Sequence, residues 1–264
     1  MMKIASWNVN SLRTRLPHVL RWWQQHQPTV LCLQETKVED GLFPHQPFTE
    51  LGLHVARHGQ KSYNGVAIIS RLPLQDVALG FNGHNLEEQT RLIAATVQAA
   101  GGPVRILSAY VPNGESLTST KFAFKQAFYQ HLTAHVVAER AVHPRLVLVG
   151  DFNVAADERD VANPARAAKD VLFTPQERQW LADLCQQGGL HDALRLVDQT
   201  PNLYTWWDYR TYGRSQNNGM RIDYALVSEA LRGAVRGVVH HAAERGMVQP
   251  SDHVPVVLEI ATLP

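Results

Sequence analysis

The sequence predicts an α/β fold, on three observations. An apolar strand, a helix and a second apolar strand ending in an acid occur between residues 3 and 37 and again between residues 104 and 154. Further apolar runs with strand character lie between and after these units. No linker, low-complexity tract or charge block divides the 264 residues, so a single domain over 1–264 is expected. A composition of 45% hydrophobic and 19% charged residues suits a globular chain.

Lys3–Val9 alternates as a strand and ends on Asn8-Val9-Asn10. Leu12, Leu16, Val19, Leu20 and Trp23 recur at helical spacing, Ser11 stands at the N-cap, and Pro28 stops the helix. Thr29–Leu33 is a buried strand running into Gln34-Glu35-Thr36-Lys37. Leu53–Arg57 and Tyr63–Ser70 read as paired strands, with Lys61 at the tip of their connection. Leu74–Leu79 and Leu92–Gln98 continue the β region, and Gly101-Gly102 turns the chain into Val104–Ala109. That strand leads to Tyr110-Val111-Pro112-Asn113-Gly114-Glu115.

A long helix over roughly Thr118 to Glu139 returns the chain to the strand Leu146–Gly150. Gly150 is expected to let the chain turn, and Asp151 and Asn153 emerge there. A carboxylate and an amide two positions apart share one face of an extended chain. The same pair also closes strands as an Asx-turn. Residues 155–173 read as an ordered surface loop. Thr174-Pro175-Gln176-Glu177 has the cap and first-turn proline of a helix reaching about Gln187, ended by Gly188-Gly189. Gly219–Val227 and Val256–Ile260 are the last strands.

No apolar run is long enough to span a bilayer, and the first residues lack a signal-peptide layout. Cys32 and Cys185 fit no metal spacing, which leaves a reducing cytoplasm as the expected location. With a net charge of +1, an anionic partner must be held by local charge clusters or a metal.

The polar residues at the strand tips are Asn8, Asn10, Glu35, Tyr110, Asn113, Asp151, Asn153, Asp223, Asp252 and His253. Each alone is most simply a turn or cap residue. Stacked α/β layers collect strand ends at one edge, and four converging carboxylates call for a divalent cation. Oxygen ligands without cysteine suit Mg²⁺, or Mn²⁺ as a substitute, better than Zn²⁺. Trp206, Trp207, Tyr209, Arg210, Tyr212, Arg214 and Arg221 interleave aromatic and basic side chains, a composition suited to DNA. A sheet-edge aromatic cluster is the plainer alternative, with one of the adjacent tryptophans in the core. Lys37, Lys61, Lys121 and Lys125 are further candidate backbone contacts, although a helical lysine is more often simply solvated.

Ser6-Trp7-Asn8-Val9-Asn10, Leu33-Gln34-Glu35-Thr36-Lys37, Tyr110 to Glu115, Gly150-Asp151-Phe152-Asn153, Arg221-Ile222-Asp223 and Ser251-Asp252-His253 stand in the order seen in the exonuclease III family of AP endonucleases. The resemblance runs from residue 3 to residue 260. Gly-Asp-Phe-Asn and Ser-Asp-His also occur across the wider endonuclease/exonuclease/phosphatase superfamily. Trp206 to Arg210 followed by Gly219 to Asp223 resembles its DNA-repair branch, in bacterial style.

The resemblance implies a four-layer α/β sandwich of two packed mixed β-sheets flanked by helices. It implies Glu35 as principal metal ligand, supported by Asn10 and Asp252. Asp223 would orient His253, and His253 would contact the scissile phosphate. Asp151 would activate or position water, with Asn153 and Asn8 fixing it in line, and Tyr110 would bind phosphate or assist the leaving oxygen. The motif does not decide which residue is the base. Trp206, Met220 and Ile222 would line a pocket for a flipped abasic sugar, with Lys37, Asn113, Lys121, Arg210 and Arg221 holding DNA. Two departures from the pattern are Met220, where other members carry Leu or Trp, and Glu115, where some carry a basic residue.

The expected activity is Mg²⁺-dependent hydrolysis at abasic sites and 3′ ends of duplex DNA by a monomer, with no membrane partner. An Asp-Val-x-x-Pro pattern at Asp160–Pro164 resembles a subgroup that processes 3′ ends and incises abasic sites poorly. A small-molecule or lipid phosphodiesterase of the same superfamily is a second class, against which the aromatic loop argues. A catalytically dead binding module is a third, but no ligand or catalytic side chain is missing.

Overall fold

A computed structural model describes residues 1–82, 85–209 and 217–261. The strands are β1 (Met2–Asn8), β2 (Val30–Gln34), β3 (His54–His58), β4 (Val66–Ser70), β5 (Gln75–Leu79), β6 (Leu92–Ala99), β7 (Gly102–Tyr110), β8 (Leu146–Asp151), β9 (Leu190–Asp192), β10 (Asp223–Ser228), β11 (Val235–His240) and β12 (Val256–Ile260). The three longest helices among the described residues are α1 (Leu12–His26), α2 (Thr120–Val142) and α3 (Pro175–Gly188). The strands form two six-stranded mixed sheets, ordered β11-β12-β1-β2-β4-β3 and β5-β6-β7-β8-β10-β9.

Both sheets have the same plan. β1 and β2 are parallel neighbours joined through α1, as β7 and β8 are through α2, and the other pairings in each sheet are antiparallel. The duplicated strand–helix–strand unit of the sequence is therefore the centre of each sheet.

Side-chain alternation makes the four layers. On β1, Ile4 faces the other sheet while Ala5 and Trp7 face α1; on β2, Val30 and Cys32 face in and Leu31 and Leu33 face out. On β8, Val147 and Val149 point inward and Leu146 and Leu148 point toward α2 and α3. Each fully buried Leu, Ile or Val contributes about 1.5–3 kcal/mol relative to exposure.

The inward series changes character toward one edge. After Ile4 come Ser6 and Asn8, after Cys32 comes Gln34, and after Val149 comes Asp151. Gln34 Nε2 donates to Ser6 Oγ at 3.1 Å and to Ser108 Oγ at 3.0 Å, joining the sheets through buried polar groups. The tips beyond them form the candidate site.

Several sequence readings change. Gly150 does not turn the chain; it lies within β8, where a Cβ would come within 1.9 Å of the Ala109 carbonyl oxygen. Ser11 makes no side-chain cap bond, and the first amides of α1 donate instead to the Glu35 and Thr36 carbonyls. The strand expected from Gly219 begins at Asp223, and Met220 is held by isolated bridges to Val161 and Trp206. Residues 155–173 contain two short helical turns and bury Asp160 and Ala167, so they are not simply surface loop. Short β9 and the half-exposed β11 carry too little alternation to be read from sequence.

Beside α1, Trp22 Nε1 donates to His241 Nδ1 at 3.1 Å, and the His26 ring lies edge-on to His241 at 4.3 Å. Burial, then the neighbouring His26 and Lys3, push the His241 pKa down to about 4. Burial also lowers His26. A histidine depressed in the folded state is protonated first in the unfolded chain. Stability is then complete above about pH 6.5 and is lost progressively toward pH 4. Allowing for partial exposure of the ring, the His241 contribution is about 1–2 kcal/mol. The urea midpoint is expected to fall between pH 7 and 5, less steeply in His241→Gln; parallel slopes in the two proteins would contradict this.

Candidate active site

Strand register sets the site. Asp151 ends β8 with Tyr110 of β7 paired on one side and Asp223 of β10 on the other. From the opposing sheet, Asn8 Nδ2 donates to Asp151 Oδ2 and to Glu35 Oε1, both at 2.9 Å. Asn8 is fully buried, so its amide couples the two sheets' acids at a fixed spacing. The Asn153 backbone N–H donates to Asp151 Oδ1 at 2.9 Å, and its side-chain amide donates to the Val111 carbonyl at 2.8 Å.

His253 faces both acids of this sheet. Its Nδ1 lies 2.8 Å from Asp223 Oδ2, and its Nε2 lies 3.6 Å from Asp151 Oδ2. Burial alone would lower the imidazole's pKa, but Asp223 and then Asp151 bring it up to about 10, so the ring is an imidazolium at neutral pH. Burial pushes Asp151 up to about 7, opposed by His253 and reinforced by Asp223. Asp223 is itself held by the Thr205 hydroxyl, which donates to Oδ2 at 2.6 Å. Thr205 also accepts the Ile222 and Asp223 amides, a positioning role that no motif signalled.

Beside these groups, Asp252 Oδ1 accepts from Asn10 Nδ2 and Oδ2 accepts from Trp206 Nε1, both at 3.0 Å. Although burial would raise it, His253 and these two donors hold Asp252 below the usual carboxylate range. Tyr110 is driven well above the ordinary phenol range by burial and then by Glu35, so it is a proton donor at neutral pH. The Arg91 guanidinium lies 4.5 Å from its ring centre, another neighbour that sequence reasoning did not find.

Glu35, Asp151 and His253 bring ligand atoms within 4.8 Å of one another. Asn10 and Asp252, expected as ligands beside Glu35, are bonded to each other at 3.0 Å, and Lys37 joins Asn10 to Glu35. The donor chemistry fits a hard divalent cation: the carboxylates of Glu35, Asp151, Asp223 and Asp252 gather at one edge with no sulfur among them, and burial, then Asp223, raise Asp151.

The residues expected on DNA divide. Lys37 turns inward, its Nζ 2.9 Å from Glu35 Oε2 and bonded to Asn10 Oδ1, because positive φ at Glu35 and Lys37 folds the chain back over the acids. Lys121 is exposed and paired with Glu115 at 3.0 Å. Both line a groove of about 820 Å³ with Tyr63, Arg91 and Asn113. Arg221, expected on DNA, lies inside the protein. It is buried against Asp160 and Asp192, with bonds of 2.7 Å, and stacks on Tyr224, so it braces the fold and is not open to DNA. Ile222 is also corrected from lining to floor: it is fully buried beneath Trp206 and Met220. Those two border a second pocket of about 280 Å³ with Asn163, Arg166, Leu172 and Asp208. Trp207 is core, against Tyr204 and Val254. Lys125 is buried, and Lys61 is exposed. Arg210, Tyr212 and Arg214 lie outside the described residues.

Replacing Asp223 by Asn keeps the shape of the site but removes the charge behind His253. Turnover is expected to fall by a factor on the order of 10²–10⁴ with the fold intact. Near-normal turnover would show that the imidazole works without this partner.

Residues 5–253 match the endonuclease/exonuclease/phosphatase family. Exodeoxyribonuclease III of Haemophilus influenzae is 36% identical, over 98% of this chain and 99% of its own. The structure of the 3′-5′ exonuclease NExo from Neisseria meningitidis is 41% identical with a TM-score of 0.94, covering 98% of this chain and 100% of that one. An AP endonuclease from Archaeoglobus fulgidus is 31% identical with a TM-score of 0.90, covering 98% and 99%. No helix among the described residues is long and apolar enough to cross a membrane.

Proposed function

The chain belongs to the endonuclease/exonuclease/phosphatase family, and on that premise we propose that it is a DNA repair nuclease, hydrolysing phosphodiesters at abasic sites and at 3′ ends of duplex DNA with Mg²⁺, or Mn²⁺ in its place. The single observation that carries this reading is the Asp223–His253–Asp151 chain facing Glu35, with Glu35 on the larger groove and Trp206 on the second pocket.

The roles follow from protonation and contact. Asp151, with its proton affinity raised to near neutrality, takes the proton of the attacking water, and Asn8 and Asn153 hold it in line. The imidazolium of His253 faces the developing negative charge on the phosphoryl oxygens, with Asp223 fixing its orientation. Tyr110 donates a hydrogen bond to the phosphate. A divalent cation, held by Glu35 with Asp252 and Asn10 at the same rim, would supply charge neutralisation of the phosphate and the leaving oxygen. Water adds to phosphorus as the bond from phosphorus to the 3′ oxygen breaks; that oxygen takes a proton from solvent, and Asp151 returns to solvent the proton it accepted.

An abasic sugar leaves the helix at lower cost than a normal nucleotide, and the pocket bordered by Trp206, Met220 and Leu172, with Arg166 and Asp208 among its polar groups, would receive it. Trp206→Ala is therefore expected to reduce incision of an abasic duplex at least tenfold more than hydrolysis of a small activated phosphodiester, a loss of about 1.4 kcal/mol of selective stabilisation. The measurement is kcat/KM on both substrates. Trp206 also donates to Asp252, so an equal loss on both would assign it to support of the acid site instead.

A further inference from the structure

The fully buried ion pair between Lys125 of α2 and Glu177 of α3 lies outside every role described above. An apolar pair would fill the same space between two helices without the cost of burying charge. What the pair touches explains its presence. Lys125 Nζ donates to the Asn153 carbonyl at 2.6 Å, to the Asn113 carbonyl at 3.1 Å and to Glu177 Oε1. Its three protons are thus all used, two of them on backbone carbonyls of the turns that follow β7 and β8.

Glu177 is equally committed. Oε1 also accepts the Leu172 amide at 2.9 Å, and Oε2 accepts the Thr174 amide at 3.0 Å and the Thr174 hydroxyl at 2.8 Å. Leu172 has a φ of 81°, a left-handed conformation that a bulky side chain adopts only when its surroundings impose it. Its carbonyl accepts the Ala155 amide at 2.7 Å, and its side chain is in the wall of the pocket beneath Trp206. Asn153 also has positive φ, at 51°.

We propose that Lys125 and Glu177 are positioning residues that lock three segments to one buried point: the Asn113 turn, the catalytic Asn153 turn and the strained Leu172 wall of the sugar pocket. The pair couples the place where water is aligned to the place where the sugar is received. An anion or cation arriving from solvent cannot substitute, because neither side chain is exposed.

This inference rests on the hydrolytic reading of the site, so the test carries one readout that needs no activity. Lys125→Met, Glu177→Gln and the double variant are compared with wild type, using the fraction folded by circular dichroism, kcat and KM per folded molecule, and amide hydrogen exchange at Leu172 and Asn153. The double variant removes both charges, so no unpaired ion remains to unfold it. A glutamine offers one oxygen where the glutamate offers two acceptors, so either Leu172 or Thr174 loses its partner.

In the folded double variant, kcat is expected to fall about 10- to 100-fold, the usual effect of misplacing an aligned group by about 1 Å. KM is expected to stay within about threefold, and exchange at Leu172 to accelerate at least tenfold. A double variant with wild-type kcat and protected amides would overturn the proposal, as would one that does not fold, since the pair would then serve stability alone. Failure of wild type to cut DNA would sink the nuclease reading while the exchange measurement still decides the positioning role.

Discussion

Asp151→Asn is expected to lower turnover by about 10³- to 10⁴-fold while leaving the fold and DNA binding close to wild type, a loss of about 4–5.5 kcal/mol of transition-state stabilisation. The side chain keeps its size, and its carbonyl oxygen still accepts from Asn8 or the Asn153 amide. It loses the capacity to take a proton. The same substitution should change the pH profile. A carboxylate brought up to about 7 is mostly protonated below that value, so wild-type activity rises with pH through a limb near neutrality. A nearby divalent cation favours the ionised form and moves the limb to lower pH. In Asp151→Asn the limb should vanish. Its persistence with the same midpoint would assign the titrating base to another group.

Glu35→Ala is expected to lower activity by at least 10²-fold, with partial recovery at high Mg²⁺, and EDTA is expected to abolish wild-type cleavage. Glu35 sits at the tip of β2 with one oxygen on Asn8 and the other on Lys37. Removing it leaves the Lys37 ammonium facing the site without its acid, which weakens cation binding by repulsion as well as by loss of a ligand. Mg²⁺ titrations of both proteins are expected to show a weaker apparent metal affinity in Glu35→Ala; an unchanged affinity would remove Glu35 from the ligands. Full activity in EDTA would sink the metal assignment.

The candidate site was legible because its residues sit at strand tips, where apolar runs end in acids and amides of unmistakable type. Asn8, Glu35, Tyr110, Asp151, Asn153, Asp223 and His253 come together at one edge of the interlayer. The central βαβ unit of each sheet was legible for the same reason, since Val147 and Val149 alternate with Leu146 and Leu148 across a buried strand. Charge direction was not legible. Arg221 stands in a basic aromatic stretch and would be read as a DNA contact, yet Asp160, 61 residues away, draws it inside. Lys125 looks like a solvated helical lysine until Glu177, 52 residues on, is brought against it. Such pairings depend on how loops cross, which periodicity does not encode. Thr205 and Arg91 were missed because their functions are hydrogen bonds and stacking made only by the tertiary fold.

Hydrolysis of DNA by these strand tips, and not of a small soluble ester, is what distinguishes a repair nuclease from the other phosphodiesterases of the superfamily. The most direct measurement is kcat/KM of the purified wild-type protein with Mg²⁺ on four substrates: an abasic duplex, a duplex ending in a 3′-phosphate, an undamaged blunt duplex and a soluble inositol phosphate. Efficient turnover is expected of the first two, slower shortening of the third from its 3′ ends and no significant release from the fourth. Cleavage of the inositol phosphate with every duplex left intact would contradict the nuclease reading.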